Sequence, residues 1–191
     1  MADRRTDILE TAIALIVDEG YASLTMRALA REVGMKLASL QYHFRTTDEL
    51  MRAVVNHIGE TYEQSFRVLR RDNEVITAQQ LVGFILEDEP GKAICGDRLW
   101  PQLWAMQDVE PLVADLVENI YERYLDVLED SLRHAGSSMP HADALCLMSM
   151  LEGTTIFVGE GRRWQKHAED VSEAILKLIK NNWGPTNECD S

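Results

Sequence analysis

A chain of 191 residues, 46% of them hydrophobic, is long enough to bury a core and too apolar to remain disordered. Its formal net charge of −13 excludes a surface that is basic as a whole, and no apolar run reaches the ~18–20 residues of a membrane span. Three widely spaced cysteines, Cys95, Cys146 and Cys189, suit neither a disulfide framework nor a zinc site, which points to a reducing cytoplasm. The charge is unevenly placed. Residues 1–50 carry six basic and eight acidic side chains, net −2, whereas residues 51–191 carry thirteen and twenty-four, net −11.

The spacing is helical throughout, with no alternation of period two, so the expected class is all-α with about nine helices. Met1 to Arg5 lead straight into an amphipathic helix, unlike a signal peptide. Ile8, Ala12, Leu15 and Ile16 stripe this first helix, and Gly20 ends it. Met26, Leu29, Ala30 and Val33 give a second, with Thr25 as N-cap and Gly34 as stop. Leu37, Leu40 and Phe44 give a short third helix. Thr46 with Glu49 reads as a capping box opening a fourth, which runs to about residue 71. Further helices are expected at about 77–87, 93–107, 111–135, 141–161 and 168–182. Glu87-Asp88-Glu89 reads as a solvated helix end, and the tail from Gly184 is polar.

A helix of about eight residues, a turn at Gly34 and a short following helix have helix-turn-helix spacing. Leu40 and Phe44 are core positions, and Leu37 is either core or a contact to a thymine methyl. The other face of the third helix carries Ala38, Ser39, Gln41, Tyr42 and His43, short or planar groups suited to base edges and phosphates. His43 can alternatively serve as a partner for the helix C-terminus.

Leu24-Thr25-Met26-Arg27-Ala28-Leu29-Ala30-Arg31-Glu32-Val33-Gly34, followed by Leu40-Gln41-Tyr42-His43-Phe44-Arg45-Thr46, resembles the TetR family of bacterial regulators over about residues 5–52. The resemblance implies a homodimer with a three-helix DNA-binding domain at 1–50 and a helical effector-binding and dimerisation domain at 51–191. It implies phosphate contacts from Thr25, Arg27 and His43, and base or backbone contacts from Ala38, Ser39, Gln41 and Tyr42. Three positions depart from the family pattern. Lys36 stands where a Ser or Thr cap is usual, Gln41 where tyrosine is usual, and Thr47 where a phosphate-binding lysine is usual. Lys36 and Arg45 are the cations placed to compensate.

In the second part, 111–135 is amphipathic through Val113, Leu116, Val117, Ile120, Tyr124 and Leu128. Residues 144–158 are apolar almost all round, which demands burial on every side. Val171, Ala174, Ile175, Leu178 and Ile179 stripe the last helix. Two such helices from each of two subunits would make a four-helix seam, as the resemblance implies; intrachain core is the other reading.

Trp100 and Trp104, at i and i+4, either belong to the core, the commoner role of large aromatics in helical bundles, or face a candidate effector pocket, with Tyr121, Met150 and Phe157 as further candidate contacts. Pro101 either kinks a continuous helix or starts a new one. Leu99 to Ala105 weakly resembles the ligand domain of choline-responsive members of the family. Glu110, Asp115 and Glu152 are carboxylates that would favour a cationic group. No hydrolase, zincin, P-loop or dinucleotide motif occurs, so an enzyme is not expected, nor a catalytic residue, a cofactor or a metal. The expected function is a cytoplasmic repressor released from double-stranded operator DNA by a small molecule, with no membrane partner. The alternative is a helix-turn-helix interaction protein with lost or weak DNA binding, motivated by the acidic charge and by Thr47.

Overall fold

The computed structural model describes residues 4–71, 75–94 and 98–183, with residues 89, 91 and 93 described by their backbone only. Cys95, Cys189 and the tail from Gly184 lie outside the described residues. The described chain is helical, in the order α1 (Arg4–Glu19), α2 (Met26–Glu32), α3 (Leu37–His43), α4 (Thr47–Arg71), α5 (Ala78–Glu87), α6 (Glu89–Ile94), α7 (Leu99–Gln107), α8 (Pro111–His134), α9 (Pro140–Phe157) and α10 (Ala168–Trp183). No strand occurs among the described residues, and the protein is all-α. No described helix is long and apolar enough to cross a membrane.

Two compact units form, and they cut across chain order. One consists of Met1–Ser65 with Pro90–Ile120, the other of Phe66–Glu89 with Tyr121–Ser191. The helix-turn-helix segment lies wholly inside the first unit, which also takes in most of α4, α7 and the start of α8.

In the first unit, the apolar side of α1 is buried through Ile8, Ala12, Ile13 and Ile16, together with Leu29, Leu40 and Phe44 of the next two helices. Thr25 caps α2, its Oγ1 accepting from the Ala28 amide at 3.1 Å. The helix stops at Gly34, whose φ of +70° lets the Gly34 amide reach the Arg31 carbonyl and the Met35 amide reach that of Ala30. At α4 the expected box forms by halves. Thr46 Oγ1 accepts from the Glu49 amide, but the Glu49 carboxylate takes the amide of Arg45, one residue earlier.

The expected helix over 93–107 is divided into α6 and α7. Pro101 is the third residue of α7, where its missing N–H would have no intrahelical partner. The acidic run is where α5 passes into α6: Asp88 adopts a left-handed conformation, φ 40°, between them.

In the second unit, Phe66, Phe84 and Tyr124 form an aromatic cluster with centroids 6.0–6.4 Å apart. The core continues through Leu81, Leu128, Leu132, Leu147 and Ile175. α5 opens with a reciprocal capping box between Thr77 and Gln80 that the sequence reading passed over. α8 ends at Gly136, φ +85°, in the same manner as α2. α9 ends at Phe157 rather than near 161, because Gly159 and Gly161 follow and the latter has a φ of +74°.

Ser131 is a buried polar residue whose Oγ accepts from the Ala78 amide at 2.6 Å, fixing the start of α5 against α8. Ser131→Ala would leave that amide buried and unpaired, a loss of about 1–3 kcal/mol. Urea unfolding should show a lower midpoint for the variant at an unchanged m-value.

Candidate nucleic-acid interface

α3 has one buried side and one open side. Leu40 and Phe44 are 0% exposed, and Leu37 is half-buried. Ala38, Ser39, Gln41 and Tyr42 are exposed, Tyr42 to 88%, while His43 is half-buried with its ring edge-on to that of Tyr42 at 5.7 Å. An exposure this large for a tyrosine means its ring lies on no apolar surface of the chain. The residues expected to face bases therefore do share one solvent face.

Around that face stand the cations. Arg27, Lys36 and Arg45 are all exposed, and none of their side chains enters an ion pair among the described residues. Thr25 Oγ1 accepts from the Ala28 amide, so its hydroxyl hydrogen is still available to a phosphate oxygen. Thr47 is exposed as the first residue of α4. Lys36 holds the N-cap position of α3 without any side-chain bond to the helix, so this end of α3 is not closed by its own residues.

Arg4 and Arg5 were missed by sequence reasoning. Arg4 Nη2 donates to the Val33 carbonyl at 3.3 Å, and Arg5 Nη1 donates to the His43 carbonyl at 3.2 Å. The Arg5 guanidinium also lies 4.3 Å from the centroid of the Phe44 ring. Their partners are 29 and 38 residues away, beyond the reach of any local pattern.

The candidate effector contacts fall into both units. In the first, Trp100 is 8% exposed, edge-on to Tyr62 at 5.6 Å and tilted against Trp104 at 6.3 Å. Both ends of α7 are tied back to the α1 region. Arg98, its N-cap, pairs with Asp18 at 2.5 Å. Beyond its other end, Glu110 Oε2 accepts from the Tyr21 hydroxyl at 3.1 Å. Burial and the Glu110 carboxylate push the Tyr21 hydroxyl above its usual range.

In the second unit, the Tyr121 hydroxyl is hydrogen-bonded to the half-buried Glu152 carboxyl. Burial raises Glu152 from 4.5 to about 7, the Tyr121 bond opposes the rise, and the charge of Asp88 adds to it. Burial likewise pushes the Tyr124 hydroxyl far above its usual range. Met150 and Phe157 are 39% and 57% exposed, on an outward side of α9 rather than an inward one. One surface cleft of about 420 Å³ lies between α4 and α8, lined by residues including Val55, Glu60 and Asp115. A second, of about 410 Å³, is lined by residues including Thr77, His134 and Lys180. Neither is lined by Trp100, Trp104, Tyr121, Met150 or Phe157.

A short helix with one polar face open to solvent, set behind a glycine turn at the N-terminal end of an all-α chain, defines a helix-turn-helix protein. Residues 8–54 match the model of the bacterial regulatory proteins, tetR family. It is 24% identical to the transcriptional repressor KstR2 of Mycolicibacterium smegmatis, over 93% of this chain and 89% of that protein. Among solved structures, a transcriptional regulator from Saccharomonospora viridis in complex with choline has a TM-score of 0.73 at 22% identity, covering 95% of this chain and 98% of that one. AibR, solved with isovaleryl coenzyme A and operator DNA, has a TM-score of 0.66 at 18% identity, covering 96% of this chain and all of that one. These structural likenesses establish a shared fold.

The position of Glu152 gives the stability of the second unit a pH dependence. Its folded value lies above its unfolded one, so its stabilising contribution is full below about pH 4.5 and is lost as pH rises through about 7. A shift of that size corresponds to at most about 3 kcal/mol. Glu152→Gln should remove this component, so that denaturant midpoints measured between pH 5 and pH 8, on the order of this window, converge for the variant but not for the parent.

Proposed function

We propose that the protein is a homodimeric transcriptional repressor that reads double-stranded operator DNA through α3 and is released by a small-molecule effector in the cytoplasm. The observation that carries this is the open face of α3: Ala38, Ser39, Gln41 and Tyr42 exposed together, with Arg27, Lys36 and Arg45 unpaired around them. Unpaired cations pay no cost of breaking an ion pair when they meet phosphate, and the counterions released from the duplex favour binding. The overall charge of −13 does not by itself oppose this: residues 1–50 carry only −2 of it, and charges beyond a Debye length of ~8 Å are screened.

The second support is the outer face of α9. Leu145, Ser149, Met150, Ile156 and Phe157 recur at helical spacing and are all exposed. Leu178 of α10 is 37% exposed, while Ile175 and Ile179 are 4% and 2% exposed in their own chain's core. The seam is accordingly assigned to the α9 stripe with Ala174 and Leu178, and Met150 and Phe157 are assigned to it in preference to the effector site. Apolar area of this extent on two helices calls for a covering partner, and a second copy presents the same surface.

The effector site is assigned to α7 around Trp100 and Trp104. A ligand that moves α7 strains the Arg98–Asp18 and Glu110–Tyr21 links at its ends, and both lead to the region of α1 that backs the helix-turn-helix. Of the carboxylates, Glu110 is engaged by Tyr21 and Asp115 is exposed. Choline, the ligand of the Saccharomonospora viridis regulator, is the first compound to titrate.

Selection of duplexes from a random pool, followed by titration over a salt series, tests the DNA assignment. Tyr42→Ala should lose about 1–3 kcal/mol of discrimination between the selected and a shuffled duplex. Arg27→Ala should weaken both duplexes alike and reduce the salt slope by about 1 for each protomer. Salt-independent or absent retention of the wild type on every duplex would favour the interaction-protein reading.

For the seam, Leu145→Asp with Leu178→Asp should yield a folded monomer in sedimentation, since a carboxylate buried between subunits costs several kcal/mol, on the order of the whole association energy of a weak dimer. A wild type that sediments as a monomer at micromolar concentration would remove the dimer from the proposal. Effector action is read by tryptophan fluorescence and then by operator affinity with and without the ligand, with a loss of roughly 5–150-fold expected.

A further inference from the structure

We propose that Arg5, assisted by Arg4, is a positioning residue for operator recognition: it ties the C-terminal end of α3 to the first turn of α1 and so sets the attitude at which the recognition face is presented. This rests on the DNA-binding reading above.

The geometry is specific. α3 has seven residues, barely two turns, and its last carbonyls have no partner within the helix. The His43 carbonyl, at its final residue, receives Arg5 Nη1 at 3.2 Å. The next residue, Phe44, is wholly buried and offers its ring to the same guanidinium at 4.3 Å. A cation at this end also meets the negative pole of the helix. Arg4 performs the matching service for α2, donating to the carbonyl of its C-cap, Val33. Two consecutive arginines thus hold the ends of both helices of the hairpin at one place on α1. At the opposite end of α3, Lys36 makes no side-chain capping bond. What fixes α3 is therefore the burial of Leu40 and Phe44 and the clamp at its C-terminal end. Only arginine can do both parts of this task, since a planar fork can stack on the ring while one N–H donates; a lysine ammonium is a point charge.

The experiment compares Arg5→Gln and Arg5→Lys with the wild-type full chain. Binding is measured to a duplex selected by the wild type and to a shuffled duplex across a salt series. Amide hydrogen exchange is followed over residues 37–44 and over α9. Arg5→Gln is expected to reduce the preference for the selected duplex roughly tenfold with an unchanged salt slope, as for a misread base. Exchange over 37–44 should accelerate severalfold while α9 is unaffected, and Arg5→Lys should restore neither property. A salt slope lower by about one for each protomer, with preference intact, would make Arg5 a phosphate contact and overturn the proposal. So would a lowered melting temperature with preference intact, or exchange over 37–44 that does not change. If the wild type selects no duplex, the DNA-binding reading falls, and the exchange experiment still decides whether the clamp holds α3.

Discussion

A helix of seven residues has too few hydrogen bonds to offset its own nucleation, so α3 exists only as far as something else holds it. Leu40 and Phe44, at i and i+4, are that hold: both are fully buried, and each such burial is worth about 1.5–3 kcal/mol. The rest of the interface follows from this one constraint. With 40 and 44 turned inward, helical geometry turns 38, 39, 41 and 42 outward, and no separate interaction is needed to expose Tyr42. The same buried Phe44 then serves as the platform on which Arg5 lies, so the residue that anchors the helix also receives its clamp.

The acidic character of the chain and the proposed polyanionic ligand are reconciled by where individual cations stand rather than by counting. Some cations are engaged, as in Arg98 with Asp18, Arg133 with both Glu129 and Asp130, and Lys177 with Glu173. Around α3, the side chains of Arg27, Lys36 and Arg45 enter no ion pair among the described residues. In the proposed DNA-binding reading, these three cations are the ones that meet phosphate. The outer face of α9 is the apolar counterpart of this pattern. Its residues are exposed because the chain's own core is already filled by Ala144, Leu147, Met148 and Leu151 on the other side of the same helix.

Where local chemistry decides an element, the sequence was sufficient. Thr25 before α2, Gly34 after it, and the spacing of Leu40 and Phe44 mark the hairpin unmistakably, and the structure places each as expected. Where two local signals compete, it was less so. The sequence reads as one helix over 93–107, whereas α6 ends at Ile94 and α7 starts at Leu99, and α9 stops at Phe157, ahead of Gly159 and Gly161. The capping box at Thr77 and Gln80 could have been read and was not; the signal is the ordinary Thr-x-x-Gln spacing.

The sequence by itself determined the class of fold, the helix-turn-helix and the residues on its open face, because caps, turns and period are properties of neighbours along the chain. Only the tertiary structure decided which of two equally apolar residues faces in. Ile175 and Leu178 look alike in the pattern of α10, but one is core and the other surface, since that depends on where α5 and α9 pack. It alone also showed that Arg4 and Arg5 hold the ends of α2 and α3, because a contact across 29 or 38 residues is set by how helices pack and leaves no periodic trace in the chain.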